Sequence, residues 1–183
     1  MNKKIRWITE TAVLLALLVT LQALTKPMGQ LVTGSCVNLI LAVSALFGGM
    51  ASGLTVAVIS PVLAYLLGIA PQIVTVPAIM VGNAVYVLLI ALLADKTGKN
   101  ILRQVIAWIC AAAAKFVALY VIVVKLICGI LADGLLAAGT LKAPMLNALP
   151  VTFSFPQLFT ALIGGAVALL IVPVLRKALH KGQ

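Results

Sequence analysis

Apolar and small residues run from Pro27 to Ala94 without a Lys, Arg, Asp, Glu or His among them. One bilayer crossing takes roughly 20 consecutive apolar residues, so this stretch holds more than one. In water a segment of that length would aggregate; its solvent is lipid. The apolar runs, punctuated by Gly and Pro, predict six transmembrane helices at residues 8–25, 35–47, 50–67, 78–93, 101–124 and 156–175. The fold class is all-α, one integral membrane bundle over residues 1–183.

Charge sets the direction of each helix. Lys3, Lys4 and Arg6 lie at the start of the chain, Lys96, Lys99 and Arg103 between the fourth and fifth helices, and Arg176, Lys177 and Lys181 after the sixth. Basic residues favour the cytoplasmic side, so these nine of the thirteen basic residues belong inside, together with both termini. From an outer Lys26 to an inner Lys96 the chain needs an odd number of crossings. One would leave most of the uncharged stretch without a place, which leaves three. The start of the chain imitates a secretion signal, but Trp7, Glu10 and five later spans favour an uncleaved first helix.

Small residues mark helix faces. Ala12, Ala16, Thr20 and Ala23 line one side of the first helix at helical spacing. Such a stripe admits a close neighbour, because lipid gives no hydrophobic push between helices; it suits an internal contact and a contact with another protein equally. Gly53, Ala57, Pro61 and Ala64 or Tyr65 form a stripe on the third helix, where Ser60 and neighbouring chains are expected to satisfy the carbonyl freed by Pro61. The sixth helix carries Ala161, Gly164, Gly165 and Ala168. Residues 25–36, with Pro27, Gly29 and Gly34, and 68–77, with Pro71, Gln72 and Thr75, read as outer connections. Residues 126–155 read as a long outer loop, of the kind that serves more often as a lid or binding element than as a linker.

Composition then excludes several classes. At 64% hydrophobic and 9% charged residues, 183 residues leave no room for a soluble domain. The net charge of +10 would suggest nucleic acid in a soluble protein. Beside membrane spans, the same clusters are topology signals that touch anionic headgroups, and no nucleic-acid partner is expected. There is no G-x-x-x-x-G-K-[ST] loop to cradle ATP. The one histidine, His180, is in the tail, and the only acids are Glu10, Asp95 and Asp133, all expected near or beyond the membrane surfaces. Ion-coupled transporters and membrane hydrolases keep such groups at depth. No catalytic set, metal site or cofactor is expected, and the widely spaced Cys36, Cys110 and Cys128 have no metal-like pattern.

One cation breaks the apolar pattern. Lys115 lies roughly 18 Å along the fifth helix from Arg103 and roughly 15 Å from Lys125, near mid-depth, where a lysine costs about 2.5–3.5 kcal/mol on insertion scales. Snorkelling, loss of its charge, or hydrogen bonds to carbonyls freed near Pro61 or Gly82 would each be a structural answer. The functional answer is a pocket in which Lys115 meets a carboxylate, phosphate or other strong acceptor on a solute. Asn83 and Asn38 on the helices, and Gln72 and Asn147 in the outer connections, complete the candidate substrate-binding set.

The size, the six spans with both ends inside, the uncharged glycine-rich second and third helices and the segment Ala12-Val13-Leu14-Leu15-Ala16 together resemble the substrate-binding S components of bacterial energy-coupling-factor (ECF) importers. The resemblance covers nearly the whole chain. It implies that Ala12 and Ala16 face a coupling transmembrane subunit, and that two cytoplasmic ATPase subunits supply the energy. It also implies a pocket near the outer side, a vitamin or related micronutrient as solute, and a place in the bacterial plasma membrane. The pattern is nearer to the general branch of that family than to its thiamin or biotin members. Two other classes stay open: an independent small-solute transporter or channel, which the missing deep acids count against, and a membrane assembly protein that binds no solute, which Lys115, Asn83 and the long outer loop count against.

Overall fold

The computed structural model describes residues 2–69, 72–95, 98 and 100–180; the side chains of Lys3, Leu179 and His180 are not described. Pro71, Lys96, Lys99 and Lys181 therefore lie outside the described residues. All regular structure among the described residues is helical.

Helix α1 (Lys3–Thr25) starts at Asn2, whose side-chain oxygen accepts the N–H of Lys4 and satisfies one of the free donors of the first turn. A 3₁₀ turn, Lys26–Met28, ends at Gly29, whose φ of 88° suits glycine alone, and α2 (Gln30–Val43) begins there. It continues as a π-helical segment, Ser44–Gly48, up to Gly49 at φ 82°, the first residue of α3 (Gly49–Leu66). Then come α4 (Val76–Leu93), α5 (Ile101–Leu119) with a π-helical continuation over Tyr120–Ile130, the short α6 (Ala132–Ala137), α7 (Ala143–Thr152) and α8 (Phe155–His180). Five helical runs are long and apolar enough to cross a membrane, and Gln30–Leu66 is one of them.

That run is not straight. A Cβ placed on Gly53 would lie 3.2 Å from the backbone of Ala45, whereas residues eight apart in a continuous helix are separated by about 12 Å. The chain turns back at Gly48-Gly49, so α2 and α3 form two arms. Side-chain bonds give the directions. Thr11 Oγ1 donates to Ser52 Oγ at 2.9 Å near the start of α1 and α3, and Lys26 Nζ donates to the Gly68 carbonyl at 2.6 Å just past their ends. These two helices are parallel. The Arg103 Nε bond to the Leu93 carbonyl closes α4 and α5 into a hairpin. Gly34 meets Thr160 near the start of α2 and α8, and Arg176 Nη2 donates to the Leu46 carbonyl near their ends, so this pair is also parallel. Arg6, Glu10, Gly49, Asp95 and Arg176 share one hollow at the end of the bundle that holds the start of α1 and the end of α8.

The main core lies where α1, α2, α3, α4, α5 and α8 meet, around Leu18, Leu41, Val56, Val87 and Ala111. A second cluster at the far end joins Leu119, Val123 and Ile127 to Leu141, Leu149 and Phe153. Outside, Leu17, Val62, Leu88, Ile109, Val121 and Leu170 are each more than a third exposed. Side chains of this kind around the whole girth suit hydrocarbon, with the backbone polar groups satisfied inside each helix.

Several expected boundaries move. The second helix starts at Gln30, not near residue 35, because Gly29 makes the turn and Gly34 sits inside the helix. The 126–155 segment is not an open loop: the fifth helix continues to Ile130, and α6 and α7 follow. The last helix runs through Pro173 to His180. Ser60 Oγ is buried without a hydrogen-bond partner, so it does not satisfy the carbonyl freed at Pro61.

Candidate functional site

Three helices each send one polar side chain to the same buried point. Lys115 of α5, 3% exposed, donates from Nζ to Asn38 Oδ1 of α2 at 2.6 Å and to Asn83 Oδ1 of α4 at 2.7 Å. Each amide oxygen faces the ammonium, which fixes how both amides are turned. Asn38 Nδ2 donates to the Gly34 carbonyl and to Thr160 Oγ1. Thr160 in turn donates to the Gln157 carbonyl at 3.1 Å. Asn83 Nδ2 has no hydrogen-bond partner. The Tyr86 ring stands 5.5 Å from Lys115 Nζ, and its hydroxyl donates to the Ala161 carbonyl at 3.1 Å.

Local sequence explains why these helices come so close. A Cβ on Gly34 would lie 2.8 Å from Thr160 Cγ2, and one on Gly82 would lie 2.7 Å from Leu119. Glycine at both positions lets α2 approach α8, and α4 approach α5, with the amides and the lysine between them. Lys115 does not snorkel, nor does it reach the carbonyls near Pro61 or Gly82; its partners are the two side-chain amides. The ion pair of Arg6 with Glu10, at 2.7 Å, is far along the chain on α1.

The trio forms part of the wall of a cavity of about 390 Å³. It opens towards the end of the bundle where α1 ends and α2 begins, with Lys26, Gly29 and Gln30 at that end. Gln72 also lines it, and its Oε1 is buried without a partner. Leu119, Ile79, Val37 and Phe153 supply apolar wall, and α7 covers one side through Met145, Ala148, Leu149 and Thr152. The lining residues include two lysines, Lys26 and Lys115, and no Asp or Glu. Such an apolar chamber with a few convergent polar groups is the usual form of a small-molecule site.

Of the five candidates from sequence, Lys115, Asn83, Asn38 and Gln72 line this cavity. Asn147 does not: it is on the exposed side of α7, while Leu149 and Thr152 of the same helix turn inward. Sequence reasoning also passed over Gln157, buried at 6% exposure and part of the lining, with Nε2 bonded to the Thr152 carbonyl. Its signal was a lone glutamine in the first turn of an otherwise apolar helix. Ala12 and Ala16 both lie on the exposed side of α1, as do Thr20 and Ala23.

Comparison with known proteins gives one finding. The family model for "ECF transporter, substrate-specific component" matches residues 6–176. No curated protein and no solved structure matches the chain.

Proposed function

Because the chain belongs to the family of ECF transporter substrate-specific components, we propose that it captures a vitamin or related micronutrient from outside the cell and delivers it for ATP-driven uptake with partner subunits. The protein is a multi-pass plasma membrane protein and a transporter subunit. One observation carries the more specific reading: a buried ammonium, held by two amides from two other helices, at the wall of a cavity large enough for a small solute. A lysine kept at that depth at a cost of a few kcal/mol calls for a solute that repays it.

The proposed topology has six crossings with both termini in the cytoplasm. It is supported by the fold-back at Gly48-Gly49, which divides the Gln30–Leu66 run into two arms. It is supported too by the gathering of Arg6, Arg103 and Arg176 at the termini end, since basic residues favour that side. The cavity then opens outwards. Lys115, Asn83, Asn38 and Gln72 are the proposed solute-binding residues. Ala12 and Ala16, exposed on α1, are the proposed face for a coupling transmembrane subunit, with two ATPase subunits completing the importer.

The chain has no ATP loop and no acid at depth, so it should not accumulate solute unaided. In proteoliposomes the purified chain is expected to bind solute and at most exchange it. Accumulation is expected only when a coupling subunit and ATPases are reconstituted with it. Uphill uptake by the chain alone on a sodium or proton gradient would return the protein to the independent-transporter class.

A further inference from the structure

Around Lys115 the cavity wall is an array of donors about a buried charge with no acid beside it. A lysine ammonium has three N–H bonds. Two reach Asn38 and Asn83, and one is left. Asn83 uses its oxygen on the lysine, which turns Nδ2 away with no partner, although the residue is only 1% exposed and lines the cavity. The two amide oxygens supply dipoles, and the Tyr86 ring supplies a quadrupole. None of them supplies a negative charge. Gln72 offers the opposite chemistry, a buried Oε1 acceptor without a partner. Val76 and Asn83 are separated by about 10 Å of helix, and Gln72 lies before Val76, so the donor end and the acceptor end stand apart by about a small vitamin's length.

We propose that the solute is a small monocarboxylic acid that enters carboxylate first, seats that group on Lys115 Nζ and Asn83 Nδ2, and presents a hydroxyl or N–H at its other end to Gln72. This rests on the cavity being the solute site. Counting charges and donors separates the acid from its rivals. A neutral carbonyl would satisfy the free N–H groups and leave the lysine charge unpaired in a dry wall. A phosphate monoester brings a charge of roughly −1.5 to −2 and three strong acceptor oxygens, so it needs a second cation. The other lining cation, Lys26, stands at the open end of the cavity, where α1 ends and α2 begins, apart from Lys115. A carboxylate matches on both counts, with one charge and two oxygens that accept the remaining donors. Between the two ends the walls are apolar, through Ile79 and Leu119, which asks for an uncharged middle.

The test is titration calorimetry on the intact chain in detergent, with matched probes. Pantothenate and biotin are acids of the required length. Panthenol and biotin amide are their neutral counterparts. Nicotinate carries the charge without the length, and flavin mononucleotide beside riboflavin supplies the phosphate arm. At least one long acid is expected to bind about tenfold or more tighter than its neutral counterpart and than nicotinate, because a hydrogen bond between two charged groups is stronger than one to a neutral acceptor. Lys115→Met should remove that preference. Asn83→Asp should do the same in a folded protein, because it gives the lysine a carboxylate of its own. Thermal melting of both variants reports their folding. Tightest binding of a neutral or phosphorylated probe, or a long acid bound equally well by Asn83→Asp, overturns the carboxylate assignment and leaves solute capture standing. If no probe binds and nothing copurifies with the chain, both readings fall.

Discussion

Two of the helices that carry stripes of small residues, α1 and α8, use them in opposite ways. On α8, Ala161, Gly164, Gly165 and Ala168 are all buried. A Cβ at Gly164 would lie 2.5 Å from the Ser35 carbonyl oxygen and 2.6 Å from the Leu39 nitrogen, and one at Gly165 would overlap the Trp108 indole. On α1, Ala12, Ala16, Thr20 and Ala23 are all exposed. The first stripe is used up inside the molecule, where it brings backbone against backbone. The second is left free. Spacing alone does not separate the two, since both repeat at three or four residues; what separates them is whether a helix of the same chain covers the stripe. In lipid, where close packing drives helix association, an unused small-residue face is what a coupling subunit would need.

Gly164 is the most sensitive position of the buried stripe. Gly164→Leu places a branched side chain where backbone already stands, and no folded monomer is expected by size-exclusion chromatography. Gly164→Ala is the measured version. Helix propensity favours alanine by about 1 kcal/mol, overpacking costs about 1–3 kcal/mol, and the backbone of α2 cannot yield as a side-chain tip would. A net loss of melting temperature follows; a gain would show that the α2–α8 contact is loose. Next comes Ala16→Trp on the free stripe. Melting temperature and solute affinity of the isolated chain should hold, while transport by the assembled importer falls about tenfold or more through lost helix contact. Loss of binding and expression together would make α1 an internal packing face instead. The smallest effect is expected for Ala12→Ser, which adds one oxygen on the exposed side. It should stay within about 0.5 kcal/mol in stability and keep most of the transport.

The helices were legible because each apolar run exceeds what a soluble core needs, and because charge appears between them only at intervals. The lysine site was partly legible. A charge in an apolar helix and an asparagine in each of two others are conspicuous in sequence, and the structure places all three within hydrogen-bond reach. What failed was the reading of glycine and proline. Gly29 and Gly34 looked alike as turn formers, yet Gly29 turns the chain at positive φ and Gly34 stays helical so that Thr160 can come close. Pro144 sits in the first turn of α7, where its missing N–H is no loss, so a proline read as loop in fact starts a helix. Asn147 shared the region and the polarity of the true lining residues, but its position on α7 turns it outward. Only the phase of that helix decides this, and a 10-residue helix between two breaks gives too little periodicity to set it.

Trp108 is linked to the lysine site through Tyr86. Its indole packs on Gly165 with Nε1 3.4 Å from the Ala161 carbonyl, the same oxygen that receives the Tyr86 hydroxyl, and the Tyr86 ring reaches Lys115. The only other tryptophan, Trp7, stands exposed near the start of α1. In a Trp7→Phe background the protein would therefore emit from a single indole one residue away from the lysine, through Tyr86. The bundle carries its own fluorophore, placed where the light it gives off can follow occupancy of the cavity without any label being added.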